Sequence, residues 1–193
     1  MVDRTFIHRF DMRDAVNRER GFSLLETIIA IMVLTLAMTA VFSLVSHGIR
    51  SVSASSNEMV ASFLASEGLE YIRNIRDVNV KGGKDALLNK FSDCFSSEGC
   101  VVDAYNDTIA ACSVECPYLK FDSGLGVYNH ATEAGNNVPT IFTRKILMED
   151  VRTVGGKKEE IRVRVIVSWP QFPGAAEKRS IELQTHLFNT KFK

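Results

Sequence analysis

Residues 20–30 read RGFSLLETIIA, and they open the stretch that decides the fold. From Leu24 to Val45 the chain runs for 22 residues in which Glu26 is the only charged side chain. An apolar run of about 20 residues is long enough to cross a bilayer as an α-helix. A charged side chain in that setting costs roughly 2.5 to 3.5 kcal/mol on insertion scales. The sequence therefore predicts a membrane helix with one carboxylate in its first turn, and that carboxylate needs a physical reason.

The flanks of this run predict its orientation. Five arginines lie within residues 1–21, whereas Arg50 is the single Lys or Arg that follows the run closely. The orientation rule for membrane helices counts Lys and Arg, so the N-terminus is expected in the cytoplasm. The chain after about Ser46 is then expected outside the cytoplasm, where disulfides form and persist.

Two ordinary explanations of residues 1–50 compete with a more specific one. A cleaved secretory signal would use the small residues of 52–54, but the apolar region of such a signal is usually only about 7 to 15 residues long. A plain signal anchor would hold an extracytoplasmic enzyme or binding protein at the membrane and would tolerate Glu26 near the interface. Neither explanation accounts for the positions of Gly21, Phe22 and Glu26.

The hexapeptide GFSLLE of residues 21–26 follows the charged residues RER of 18–20 and precedes an uninterrupted apolar run. This arrangement resembles the class III signal of type IV prepilins and the related pseudopilins. The resemblance implies that a membrane-embedded prepilin peptidase cuts after Gly21 and methylates the new N-terminus at Phe22. It also implies that Glu26 meets the N-terminal amine of a neighbouring subunit during assembly.

The resemblance further implies where the chain resides and what it contacts. A single-pass membrane protein with a cytoplasmic N-terminus, carrying Arg18 and Arg20 in its leader, would be processed and then moved to a pilus at the cell surface. The expected partners are the prepilin peptidase, other pilins of the filament through the apolar helix, the inner-membrane assembly machinery, and membrane lipid before assembly. A pseudopilin of a type II secretion or DNA-uptake system shares the same N-terminus, so both possibilities stay open.

The helix is predicted to continue past the membrane as one element from about Phe22 to Asp77. Apolar residues recur three and four apart as far as Ile75, with charged residues mostly on other faces. Residues 65–77, ASEGLEYIRNIRD, resemble a segment found in a subgroup of minor pilins. Gly68 within that segment costs about 1 kcal/mol relative to Ala in a helix, which predicts a close contact between helix and sheet.

The remainder is predicted to form β-structure. Three late segments, 140–150, 160–169 and 179–189, read as strands, with Gly155-Gly156 as the turn between the first two. The predicted fold class is α+β: a long N-terminal helix, transmembrane in its first half and amphipathic in its second, packed on an antiparallel sheet as in pilins. The predicted regions are a leader at 1–21, a transmembrane and assembly helix at 22–48, its amphipathic continuation at 49–79, and an extracytoplasmic disulfide-containing β domain at 80–193.

The chain has four cysteines, and their spacing favours disulfides over a metal site. Zinc sites usually use paired C-x2-C ligands, whereas this pattern is C-x5-C-x11-C-x3-C with no histidine inside it. Three pairings are possible. A hairpin of 100–106 and 108–112 that turns at Asn106-Asp107 places Cys100 and Cys112 nearly opposite, which favours pairing these two and joining Cys94 to Cys116.

Neither catalysis nor nucleic-acid binding finds support in the sequence. The 23 basic and 23 acidic residues balance, and no basic block provides a footprint for phosphate backbones. His186 is expected to be a half-exposed sheet residue, because no activated nucleophile lies near it in the sequence. Asp103 and Asp107 are expected to cap a turn rather than to bind calcium. The prediction is a structural subunit, not an enzyme, with no cofactor and no metal.

Overall fold

The computed structural model describes residues 21–82, 90–113, 115–131, 136–171 and 174–189. Most of the predicted leader, including Arg18 and Arg20, lies outside the described residues. The chain divides into two compact units between Ile49 and Arg50.

One helix, α1, spans Leu24–Lys81 and has 58 residues. It begins after Ser23, whose carbonyl accepts the first helical hydrogen bond from the N–H of Thr27 at 3.1 Å. The apolar first part of α1 is long and apolar enough to cross a membrane, judged by length and composition. The predicted helix is confirmed, although it begins two residues later and ends four residues later than expected from the sequence.

Seven strands form one antiparallel sheet: β1 Cys100–Asp103, β2 Thr108–Ala111, β3 Tyr118–Asp122, β4 Val127–Asn129, β5 Asn137–Val154, β6 Lys157–Pro170 and β7 Lys178–Phe188. On one side β5 pairs with β6, which pairs in turn with β7; on the other side β5 pairs with β1 and β3, and these pair with β2 and β4. The two glycines 155 and 156 have φ of 57° and 77°, and they make the predicted two-residue turn between β5 and β6. The α+β prediction is confirmed.

The core of the second unit lies between one stripe of α1 and one face of the sheet. A Cβ added to Gly68 would lie 3.2 Å from both Arg144 Cδ and Val165 Cγ1, so this glycine marks the predicted close contact of helix and sheet. The row of alternate residues of β6 that faces the helix is buried throughout. The stripe and the row consist of Ala61, Leu64, Ala65, Gly68, Leu69, Ile72 and Ile75 on α1, and Ile161, Val163, Val165, Val167 and Trp169 on β6.

The cysteines form disulfides, but the favoured pairing is wrong: Cys94 bonds to Cys100, and Cys112 to Cys116. The register of β1 and β2 opposes Cys100 to Ala111, and the N–H of Cys112 donates to the carbonyl of Gly99 at 3.0 Å. Side chains alternate between the two faces of a strand, so a displacement of one residue directs Cys112 away from the face that carries Cys100. Cys100 is buried in the core, where the 3₁₀ turn Ser92–Phe95 brings Cys94 to it.

Candidate functional site

The predicted cleavage junction lies immediately before α1. Gly21, Phe22 and Ser23 are exposed and outside the helix, and a Cβ added to Gly21 would meet no atom of the described residues within 4 Å. Exposed backbone that is not committed to regular structure is the usual target of proteolysis. The Gly21-Phe22 peptide bond is therefore accessible without unwinding the helix.

Glu26 lies in the first turn of α1 and is exposed. Its carboxylate makes no hydrogen bond or ion pair with any residue that the structure describes. A negative charge at this end of a helix gains about 0.3 to 1 kcal/mol from the helix dipole, which is less than the cost of holding it in a membrane. Among the described residues, Glu26 thus has no positive partner.

Ser23 and Glu26 also have the S-x-x-E spacing of a capping box. In a formed box the Glu26 carboxylate accepts a hydrogen bond from the N–H of Ser23. No such bond occurs within the described part of the chain. A local capping role does not use this carboxylate here.

The helix carries exposed apolar surface in both units. In the first unit every residue of α1 is exposed, including all its large apolar side chains. In the second unit Val52, Met59 and Phe63 are 71%, 63% and 69% exposed, and their spacing of seven and four places them on one face of the helix. This face is distinct from the stripe that packs on the sheet.

A buried arginine joins the helix to two strands, a role that is not predicted from the sequence. Arg144 of β5 is fully buried: its Nη1 donates to the carbonyl of Leu64 at 3.0 Å and to Glu67 Oε2 at 2.6 Å, and its Nη2 donates to the carbonyl of Val102 at 2.9 Å. The absence of a side chain at Gly68 leaves room for the guanidinium stem. The only signal in the sequence is the position of Arg144 in the alternating row that includes Phe142 and Ile146.

Asp103 caps the turn between β1 and β2, as expected. Its carboxylate accepts hydrogen bonds from the N–H of Tyr105 and of Asn106, from the Asn106 amide, and from the N–H of His130 at 2.8 Å. Burial alone would raise the pKa of Asp103, but the bonds from His130 and Asn106 outweigh it and hold the pKa below its ordinary value. Asp103 is thus an ionised structural cap.

Asp107 ties the same turn to the helix. It accepts hydrogen bonds from Lys90 Nζ at 2.8 Å and from the Tyr71 hydroxyl at 2.9 Å, and these bonds lower its pKa. Burial, together with the bond to Asp107, raises the pKa of Tyr71. No cluster of three or more potential metal ligands occurs among the described residues.

The two histidines of the sheet region differ in their surroundings. His186 is half-exposed, as predicted, and its Nδ1 lies 2.6 Å from Glu160 Oε1. His130 is largely buried, and neither ring nitrogen has a hydrogen-bond partner among the described residues. Burial, followed by repulsion from Arg144, lowers the pKa of His130 to about 4. No free cysteine is present beside either ring, because all four cysteines form disulfides.

Residues 16–42 match a family model described as the prokaryotic N-terminal methylation motif. The match covers the Gly21-Phe22 junction, Glu26 and most of the apolar run. No curated protein and no solved structure matches the chain. At its N-terminus the chain therefore carries a prepilin signal of the kind found in type IV pilins and pseudopilins.

Proposed function

We propose that this chain is a minor type IV pilin, a structural subunit that is inserted into the membrane, cleaved, N-methylated and assembled into a filament. The observation that carries the proposal is the methylation motif at residues 16–42, followed by a helix whose apolar side chains are exposed. Such side chains need lipid before assembly and other helices after it. The activity is assembly rather than catalysis.

Processing supplies the positive partner that Glu26 lacks. Cleavage after Gly21 creates an N-terminal amine at Phe22, and methylation of that amine preserves its positive charge. An ionised carboxylate in hydrocarbon is expensive unless it is paired, so a neighbour's amine at Glu26 stabilises the docked state over the isolated subunit. The peptidase acts at the membrane, and the assembly machinery then moves the mature subunit from lipid to the filament.

The exposed apolar face of the second unit supports assembly over plain anchoring. A plain anchor needs apolar side chains only where the helix meets hydrocarbon, and about 20 residues suffice for that. Met59 and Phe63 come well after a span that starts at Leu24 is complete, yet both are exposed. An apolar face on a helix outside the bilayer is typical of a surface that another protein covers.

Coexpression with a prepilin peptidase tests processing. Intact-mass spectrometry should find the chain shortened by the 21 residues that precede Phe22, with one methyl group on the new N-terminus. Gly21→Val, which adds a branched side chain at the cut, should leave the precursor whole. A mature chain that begins at Ser55 would instead identify ordinary signal-peptidase cleavage and would contradict the proposal.

Glu26→Gln tests assembly. The substitution removes a charge from the apolar helix, so membrane insertion and cleavage should remain intact. The fraction of mature protein in sheared surface filaments should fall several-fold at matched expression. The control is Glu58→Gln, the same change at an exposed position of α1 outside the apolar run. Equal filament fractions for the wild type and Glu26→Gln would refute the docking role of Glu26. Wild-type protein that assembles but is never recovered in sheared surface filaments would instead favour a pseudopilin.

A further inference from the structure

A cleft of about 190 Å³ lies on the face of the sheet opposite α1, and a disulfide-bonded cysteine is among the residues that line it. Thr143 and Lys145 of β5 and Ser168 of β6 line this cleft, and they alternate with the buried core row of the same strands. Cys116 forms part of the wall. One of the two disulfides therefore has a cysteine at the solvent-filled cleft.

The two disulfides differ in how far they can be reached. Cys94 and Cys100 are both 0% exposed, and they belong to the core. Cys112 is 7% exposed, whereas its partner Cys116 is only half-buried and is one of the residues that line the cleft. A thiolate breaks a disulfide by direct attack on one sulfur, so access to that sulfur controls the reaction. We propose that the Cys112–Cys116 bond is a site of thiol–disulfide exchange with an external dithiol, attacked at Cys116.

The exchange follows ordinary dithiol chemistry. A thiolate of the dithiol bonds to Cys116 Sγ, the bond between the two protein sulfurs breaks, and Cys112 leaves as a thiolate that takes up a proton. The second thiol of the reagent then attacks the reagent sulfur that is bonded to Cys116, and Cys116 leaves as a thiolate that takes up a proton. The protein gains two electrons and two protons, and the dithiol becomes a disulfide.

The charges around the cleft do not exclude an anionic reagent. Lys145 and Lys178 face Glu98 and Glu115 across it; Lys178 Nζ lies 3.6 Å from Glu115 Oε1, and Lys145 Nζ donates to the carbonyl of Ser97 at 3.5 Å. Two ammonium groups thus balance two carboxylates. Selectivity between the disulfides follows from access rather than from net charge.

The sheet holds both ends of this disulfide without the sulfur bond. The N–H of Cys112 donates to the carbonyl of Gly99 beside the β1–β2 pairing, and β3, which follows Cys116, is paired with β5. The cysteines are four positions apart, and a cross-link that closes so short a loop restricts the unfolded chain little. Reduction should therefore loosen the connection between β2 and β3 while the sheet persists.

Differential alkylation of the full chain in detergent tests the proposal. The native protein is treated with increasing dithiothreitol, quenched with N-ethylmaleimide, and mapped by peptide mass spectrometry. Cys112 and Cys116 should become labelled together, at least about tenfold faster than Cys94 and Cys100. Their rate should rise in proportion to dithiothreitol and respond little to mild urea, while circular dichroism stays constant. Equal rates, faster labelling of Cys94 and Cys100, or a rate that depends on urea but not on dithiothreitol would overturn it.

Two variants, each with one cysteine of this disulfide replaced by serine, identify the attacked sulfur. Cys112→Ser leaves the Cys116 thiol free, and Cys116→Ser leaves the Cys112 thiol free. Iodoacetamide should modify the free thiol of Cys112→Ser several-fold faster than that of Cys116→Ser. Equal or reversed rates would refute attack at Cys116. If either variant fails to fold, the dithiothreitol measurement on the unaltered chain still decides whether this disulfide opens first.

Discussion

At the scale of single residues, Arg144 makes a connection that the β-ladder lacks. In the described structure β1 pairs with β5 at one register position, Cys100 with Ile146. The carbonyl of Val102, farther along β1, accepts its hydrogen bond from the Arg144 side chain instead. The same guanidinium reaches the carbonyl of Leu64 and the carboxylate of Glu67 on α1. One side chain therefore ties helix, central strand and β1 together.

Arg144→Met should destabilise the second unit by on the order of 2 kcal/mol, because the buried carbonyl of Val102 loses its partner. The loss stays moderate because Glu67 is partly exposed and regains water. Arg164→Met is the matched control: Arg164 is on the outer face of β6, where its pairs with Glu149 and Glu182 are solvated and worth less than about 1 kcal/mol.

The measurement for both variants is urea unfolding of the full chain in detergent, followed by the fluorescence of Trp169. This residue is the only tryptophan and is buried beside Phe142, with ring centroids 6.1 Å apart, so it reports on the core of the second unit. Equal losses in the two variants would contradict the role assigned to Arg144.

At the scale of elements, α1 has two apolar faces beyond the predicted membrane span. The stripe through Leu64, Gly68 and Ile72 is covered by the sheet. The face with Met59 and Phe63 has no cover among the described residues, and leaving such side chains in water forgoes roughly 1.5 to 3 kcal/mol each. A neighbouring subunit that covers this face would recover that stabilisation.

Replacing Met59 and Phe63 together by serine should lower the fraction of mature protein in sheared filaments several-fold. It should leave cleavage, membrane insertion and the urea midpoint unchanged, because neither side chain contributes to the core. Val154→Ser is the control, since Val154 is an exposed apolar residue beside the β5–β6 turn. A plain membrane anchor would give equal fractions for the double variant and the control.

The β1–β2 hairpin explains why the disulfides could not be predicted from the sequence. The turn was placed correctly near Asn106-Asp107, and Asp107 adopts a positive φ of 52° there. The pairing of sulfurs, however, depends on register to within one residue, because each shift of one exchanges the two faces of a strand. Four-residue strands offer too little alternation to fix that register from the sequence.

At the scale of the whole molecule, the long periodic segments were predictable, and among the short strands only those of the β1–β2 hairpin were. The helix and the strands β5, β6 and β7 repeat their patterns over 11 residues or more. The strands β3 and β4 have only five and three residues, and they were not predicted from the sequence. The burial of Arg144 was not predicted either, because the side chain bonds to backbone carbonyls of segments that are distant in the sequence. The methylation motif, in contrast, is local and could be read directly.

Two polar residues near one corner of the sheet, the half-buried His130 and the buried Asp103, make the second unit sensitive to acid. His130 follows β4 and Asp103 ends β1, and the N–H of the first donates to the carboxylate of the second. The pKa of His130 is lowered to about 4, first by burial and then by Arg144 and Lys120, with Asp103 opposing. The pKa of Asp103 is also lowered, because the bonds from His130 and Asn106 outweigh its burial.

The lowered pKa values of His130 and Asp103 both mean that the folded state loses stability as the pH falls. The unfolded chain takes up a proton at His130 as the pH falls past about 6.5, whereas the folded chain resists it until about 4. The stabilisation from His130 is therefore complete above about pH 6.5 and is lost as the pH falls from about 6.5 to about 4. Within this range the folding equilibrium constant decreases by at most about tenfold per pH unit. Asp103 adds a loss at still lower pH, where its carboxylate becomes protonated.

The urea midpoint of Trp169 fluorescence, measured from pH 7.5 to pH 4, should therefore fall with acid. His130→Leu should flatten this fall, because leucine cannot take up a proton and the ring nitrogens that it replaces have no hydrogen-bond partner among the described residues. His186→Gln is the control, since His186 is half-exposed on the outer face of β7 and should leave the steeper dependence in place. An unchanged slope in His130→Leu, or a flattened one in His186→Gln, would show that the acid sensitivity arises from other groups than the buried corner around His130.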